Sequence, residues 1–387
     1  MRRETSPPRR DMAEQFEALN FSYASTEGNI YWDESARYVF SMREIEHDLE
    51  AATIELSALC LELVSRVCDS EELMERLRLP RLAFDVIRDS WKKRELSLYG
   101  RFDFAYAGDG PPKLLEYNAD TPTGLYEAAV VQWYWLEQLI EGKDLPTGTD
   151  QFNSLHEKLV ARWRLLAYPR DRLHFACMTQ SFEDVGNVAY LAECAKMAGF
   201  LPIIIDIRQI GVGDWEYFID DSLRPIETLF KLYPWEWMFA DTFGGSIARK
   251  STRFIEPPWK AILSNKGALA LLWEMAPGHP NLLPCHFEND ARAAVLGDNY
   301  ARKPIYSREG ANVSLIRRGE TIASEAGSYG AEGFVRQALH MSRSFDARYP
   351  VLGCWLIGDE PAGMGVREDV SPITSNRSRF VPHVILD

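Results

Sequence analysis

Hydrophobic positions recur along the chain with two periods, and their alternation predicts a mixed α/β protein. Apolar residues at helical spacing over Ile45–Val67, among them Leu49, Ile54, Leu56, Leu59, Leu63 and Val64, predict an amphipathic helix. Ser70 is placed to cap a following helix over Glu71–Leu77. The period then changes. Leu98–Ala107 and Lys113–Asn118 are short alternating segments around Gly108-Asp109-Gly110-Pro111-Pro112, which predicts a β-hairpin. Pro122 and Gly124 lead into an apolar helix over Tyr126–Ile140, and Gly142–Thr149 reads as a linker. Gln151–Trp163, His174–Met178, Val185–Met197 and Leu201–Ile205 alternate as helix, strand, helix and strand. Beyond Trp259, a helix over Lys266–Met275 precedes strands over Ala301–Tyr306 and Asn312–Arg317.

Length and composition add limits to this pattern. With 387 residues, 46% of them hydrophobic, the chain can bury more than one core. No apolar run is long enough to span a bilayer, so no membrane association is expected. The first 14 residues carry Arg2, Arg3, Arg9 and Arg10 with no apolar segment behind them; they read as a disordered basic tail rather than a secretory leader. Six cysteines without a Cys-x-x-Cys pair fit free buried thiols in a reducing cytosol, so the expected location is cytoplasmic. A net charge of −14 argues against nucleic acid as a partner and suits a cationic small molecule such as a polyamine. The P-loop, the Gly-x-Ser-x-Gly elbow and His-Glu-x-x-His are absent, and Gly211-Val212-Gly213 lacks the third glycine of a dinucleotide fingerprint.

Four constellations can carry chemistry. Strand side chains alternate faces, so Arg101 with Asp103, and Glu116 with Asn118, each share a side of the expected hairpin. Two carboxylates and an amide oxygen are hard ligands of the kind magnesium takes beside phosphate, and the arginine fork suits phosphate. A solvated polar hairpin face would read the same. Lys303, followed by Ser307-Arg308-Glu309-Gly310, offers a cation and a loop whose amides can cradle phosphate, although an ordinary hairpin turn fits too. Glu183-Asp184, with Tyr233-Pro234-Trp235-Glu236-Trp237, pairs carboxylates with aromatic faces that suit ammonium groups. Acidic first-turn positions and core tryptophans explain those residues equally well. Gly363–Asp369 is strand-like and carries Arg367, whose ordinary fate is a surface salt bridge.

Taken in order, Arg101-Phe102-Asp103, Leu114-Leu115-Glu116-Tyr117-Asn118-Ala119-Asp120-Thr121-Pro122-Thr123, Ser264-Asn265-Lys266, Lys303-Pro304-Ile305 with Arg308-Glu309-Gly310, and Gly363–Asp369 resemble the glutathionylspermidine synthase family. The likeness runs from about residue 15 to the C-terminus and is to its short bacterial members without an amidase domain, so product hydrolysis is not expected. The resemblance implies an ATP-grasp fold with a preceding substrate-binding lobe, divided here at about residues 15–258 and 259–387. It implies an ATP- and magnesium-dependent carbon–nitrogen ligase that activates a peptide carboxylate, such as that of glutathione, as an acyl phosphate and joins it to an amine such as spermidine. By motif, Asp103, Glu116 and Asn118 would hold two magnesium ions and Arg101 would meet the reacting phosphate. Lys266 and Lys303 would bind ATP phosphates under the Arg308-Glu309-Gly310 loop, with Pro372, Ile373 and Thr374 lining the nucleotide. Arg367 would stabilise the charged intermediate. Thr121 and Thr123 would contact the peptide, and Glu183 and Asp184 the acceptor. The stretch Lys231–Glu236 departs from the family's substrate-contacting segment, which leaves open the same chemistry on another peptide and amine, or a nucleotide-binding protein without turnover.

Overall fold

A computed structural model of the chain describes residues 1–26, 28–166, 172–213 and 216–386. Its central element is a five-stranded antiparallel sheet ordered Arg379–Val381, Glu360–Asp369, Tyr349–Ile357, Tyr99–Ala105, Lys113–Asn118. The expected hairpin forms its last two strands. In their register Arg101 faces Asn118, Phe102 faces Tyr117 and Asp103 faces Glu116. Alternation sends Phe102, Phe104 and Leu114 into the core, where the Phe102 and Tyr117 rings stack at 4.0 Å between centroids. Burying each phenylalanine is worth about 2–3 kcal/mol, so a slip of one residue, which would expose both, is strongly disfavoured.

Among the described residues, sheets of three, four and five strands and two two-stranded ones accompany it. A parallel sheet ordered Arg253–Ile255, Thr228–Lys231, Arg172–Cys177, Leu201–Asp206 packs against helices Leu155–Leu166 and Phe182–Met197, as the helix and strand alternation predicts. An outer antiparallel sheet is ordered Cys285–Phe287, Phe334–Ala338, Tyr300–Pro304, Ser314–Arg317, Glu320–Ser324. Helix Gly267–Met275 lies beside it, against the long helix Ala51–Cys68. Ser70 caps helix Glu71–Arg76, its hydroxyl accepting the Leu73 amide at 3.2 Å. No helix among the described residues is long and apolar enough to cross a membrane.

The central sheet takes two strands from before residue 258 and three from after it, a pairing between distant segments that local periodicity does not report. One sequence expectation needs correction: the basic N-terminal segment is ordered. Arg2–Thr5 pairs antiparallel with Ala36–Phe40, which pairs parallel with His383–Ile385. Two of its arginines have buried carboxylate partners: Arg3 donates twice to Glu368 at 2.9 Å, and Arg9 meets Glu34 at 2.6 Å. Both glutamates are 1% exposed.

Glu368 also accepts the Tyr38 hydroxyl at 2.7 Å, so removing Arg3 leaves a buried carboxylate with one neutral donor. Arg3→Ala is therefore expected to lower stability by about 2 kcal/mol, measured by urea unfolding. In a Glu368→Gln background the same change should matter little. An Arg3→Ala variant as stable as the parent would mean that this segment contributes nothing to the fold.

Candidate functional site

The polar face of the hairpin floors a cleft of about 710 Å³ between the central sheet, the outer sheet and the parallel sheet's helix Phe182–Met197. Asp103 and Glu116 sit opposite each other on neighbouring strands, where two bare carboxylates would repel. Neighbouring cations resolve the conflict. Arg101 grips Asp103 with both arms of its fork, Nε to Oδ1 at 2.6 Å and Nη2 to Oδ2 at 3.0 Å. It lies over the Trp355 ring at 5.6 Å, and a Cβ at Gly353, the residue opposite Asp103, would come within 2.7 Å of its Cδ. Lys266, just ahead of helix Gly267–Met275, meets Glu116 Oε2 at 2.8 Å and donates to the Ser307 carbonyl at 2.8 Å.

Lys303 reaches in from the outer sheet. Its ammonium donates to the Leu115 carbonyl at 2.8 Å and to Gln337 Oε1 at 2.7 Å. Burial pulls its pKa down to about 8, with the charge of Glu116 working against the fall. Burial pushes Glu116 up, but Lys266 and Lys303 together outweigh it and hold the carboxyl at about 2. For Asp103 burial wins, and its pKa stays raised despite Arg101.

The remaining expected residues line the same cleft. Arg367, on strand Glu360–Asp369, donates to the Ser375 and Ser378 carbonyls at 2.6 and 3.3 Å. Arg308 bonds Thr121 Oγ1 at 2.5 Å and Glu236 at 3.0 Å, while the Thr123 carbonyl accepts from Arg101. Glu309 and Gly310 turn the loop with φ of +56° and +70°. Gly310 is held to glycine twice over, since a Cβ there would lie 2.5 Å from the Thr374 carbonyl oxygen. Beside it Ile373 packs with Ala301, Val313 and Leu315, giving one end of the cleft an apolar wall next to Pro372 and Thr374. Glu183 and Asp184 occupy the first turn of helix Phe182–Met197, capped by Ser181. Burial, with Glu183 adding to it, lifts Asp184 to about 6.

The donor set can be tested against a magnesium–nucleotide pair. Asn118 Nδ2 donates to Asp103 at 3.0 Å and to Glu116 at 3.2 Å, so the amide lies where its oxygen, turned over, would face a shared cation. Magnesium takes one or two carboxylates and completes its shell with phosphate and water, which Asp103 and Glu116 can supply from the protein side. Buried Ser307 Oγ, Arg308 Nε and Arg367 Nε have no hydrogen-bond partner among the described residues. Such atoms in a cleft call for an anionic ligand with many acceptors. The residues fit.

Sequence reasoning missed the wall behind Arg367. Tyr23 and Tyr31 line the cleft, and Tyr31 donates to the fully buried Glu127 at 2.5 Å. A lone carboxylate in the apolar run Leu125–Val131 was the available signal.

A family model described as "Glutathionylspermidine synthase preATP-grasp" matches residues 3–386. The chain is 41% identical over 395 residues to a "putative acid–amine ligase" of Haemophilus influenzae, covering 97% of each. It is 28% identical to trypanothione synthetase of Crithidia fasciculata over 346 residues, spanning 83% of this chain but only about half, 52%, of that enzyme. In fold it is similar to a glutathione synthetase-like effector of Globodera pallida, with a TM-score of 0.57, 10% identity and 98% of each chain covered.

Glu116→Gln removes the negative charge that helps keep Lys303 protonated. The Lys303 ammonium should then titrate below its value of about 8, followed by NMR of labelled lysine. An unmoved titration would mean that the two groups are not electrostatically joined.

Proposed function

The chain belongs to the glutathionylspermidine synthase family, a family of ATP-dependent ligases with the ATP-grasp fold, and on that premise we propose that it joins a peptide carboxylate to an amine through an acyl phosphate. One observation supports this most: arginines and lysines, hard oxygen ligands and further carboxylates, spread from residue 101 to 374, line a single cleft. Glutathione and spermidine are the first candidate substrates, in line with the family's name.

In this reading the adenine lies on the apolar wall of Ile373, Val313 and Leu315. Lys266, Lys303 and the Arg308-Glu309-Gly310 loop hold the phosphates. Asp103, Glu116 and Asn118 would hold magnesium, which supplies charge neutralisation on phosphate oxygens. Arg101 sits beside these ligands and meets the transferring phosphoryl group. A carboxylate is a poor electrophile, and phosphorylation gives it a leaving group. Arg367, with its unpartnered Nε, then stabilises the charge that grows as the amine attacks. Thr121 and Thr123 position the peptide. Glu183 and Asp184, beside Phe182, Tyr233 and Trp237, receive the cationic acceptor.

Steady-state ADP release with magnesium, glutathione and spermidine tests the assignment. Turnover should need all three. Arg367→Ala should lower the maximal rate about 100-fold or more with little change in the KM for ATP. Arg367→Lys should stay impaired, because it keeps the charge but loses the fork. A loss confined to ATP affinity would move Arg367 to nucleotide binding, and an unchanged rate would remove it from the chemistry.

A further inference from the structure

An alkylamine reaches neutral solution as an ammonium, with a pKa near that of lysine, about 10.4. In that form its nitrogen has no lone pair, so a ligase that uses it must first take a proton. The carboxylates already assigned are poorly suited to this. Asp103 and Glu116 face cations and phosphate, while Glu183 and Asp184 lie at the helix end where an ammonium would be held rather than deprotonated.

Behind the cleft wall lies a group that no assigned role uses. Glu127, in the helical segment Glu127–Val131, is fully buried. Its Oε1 accepts the Tyr31 hydroxyl at 2.5 Å, and its Oε2 has no hydrogen-bond partner among the described residues. Tyr23, which also lines the cleft, has a buried hydroxyl that likewise finds no partner among them. Its ring occupies space that Gly186 leaves free, since a Cβ there would lie 2.9 Å from Tyr23. Leaving a buried carboxylate oxygen unsatisfied costs free energy that packing does not return. Tyr31 connects this carboxylate to the reacting centre. Its ring lies 6.0 Å from the Arg367 guanidinium, and with Arg101, Asp103 and Arg367 it lines a side recess of the cleft.

We propose that Glu127, acting through Tyr31, receives the proton that the incoming ammonium loses before it attacks the acyl phosphate. The inference rests on the ligase reading above. In the step, the ammonium gives one proton to Tyr31 Oη while Tyr31 passes its own to Glu127. The freed lone pair attacks the carbonyl carbon, the C–N bond forms, and the C–O bond to phosphorus breaks with its electrons on the departing phosphate. The second nitrogen proton leaves with that phosphate as hydrogen phosphate. Glu127 returns its proton to solvent when product departs.

The electrostatics agree with the geometry. Facing Glu127 are Tyr31 and Tyr23 from the N-terminal segment, Glu183 from helix Phe182–Met197, Tyr126 beside it in its own segment, and Arg367 from the central sheet. Burial and then Glu183 raise the carboxyl, Tyr31 and Arg367 oppose them, and the result is about 7. A base at that value is half available at neutral pH and strong enough to accept a proton in transit.

Hydroxylamine separates this role from a structural one, because it is largely unprotonated at neutral pH and needs no base. With glutathione and ATP, Glu127→Gln should lower amide formation from spermidine about 100-fold at pH 7 and leave hydroxamate formation near the parent rate. Tyr31→Phe should show the same selective loss. In the parent, amide formation should rise with pH through about 7. In Glu127→Gln it should keep rising towards the amine's own pKa, about 10.4. Equal loss of both products, or no loss of amide, would overturn the role of Glu127. A parent protein that makes neither product from glutathione would instead sink the ligase reading, and this inference with it.

Discussion

Two carboxylates opposite each other on adjacent strands are the constraint around which this molecule is arranged. Asp103 and Glu116 are placed there by hairpin register, and the register is held by the phenylalanines on the other face. Neither charge can be buried alone, so each is held beside a cation. Arg101 comes from the same strand, Lys266 from the approach to helix Gly267–Met275, and Lys303 from the outer sheet. The ion pairs that neutralise the floor of the cleft therefore also dock its walls. A site assembled from distant segments becomes one electrostatic unit.

The same arrangement leaves the protein's own groups incompletely satisfied. Lys303 holds its proton against burial, and polar atoms of Ser307, Arg308 and Arg367 lack partners. A fold selected for stability alone would fill such positions with apolar side chains or pair them fully. Here the unfilled bonds point towards a ligand rich in negative oxygen, which binding would supply. Gly353 and Gly310 serve the same end sterically, one giving Arg101 room to lie across the sheet and the other letting the loop close onto the Thr374 carbonyl.

Much of this was legible in the chain. Period-two alternation put Arg101 with Asp103, and Glu116 with Asn118, on one face, because strand geometry depends only on local sequence. The Ser70 cap and the alternation of helix and strand before residue 206 were readable for the same reason. Features set by distant partners were not. The N-terminal arginines read as a free tail because Glu368 and Glu34 could not be matched to them by spacing. Nor could local periodicity show that three strands from the C-terminal third join two near residue 100. Glu127 passed as one charge in an apolar helix; only its packing against Tyr31 and its unpaired oxygen set it apart.

The central claim is that a carboxylate is activated by phosphoryl transfer before the amine arrives. Following oxygen tests this most directly. Glutathione carrying ¹⁸O in its glycine carboxylate would be turned over with ATP, magnesium and spermidine, and the inorganic phosphate analysed by mass spectrometry. An acyl phosphate passes one carboxylate oxygen to phosphorus, so each turnover should leave one labelled oxygen in the phosphate. Amide product accompanied by unlabelled phosphate would contradict the account.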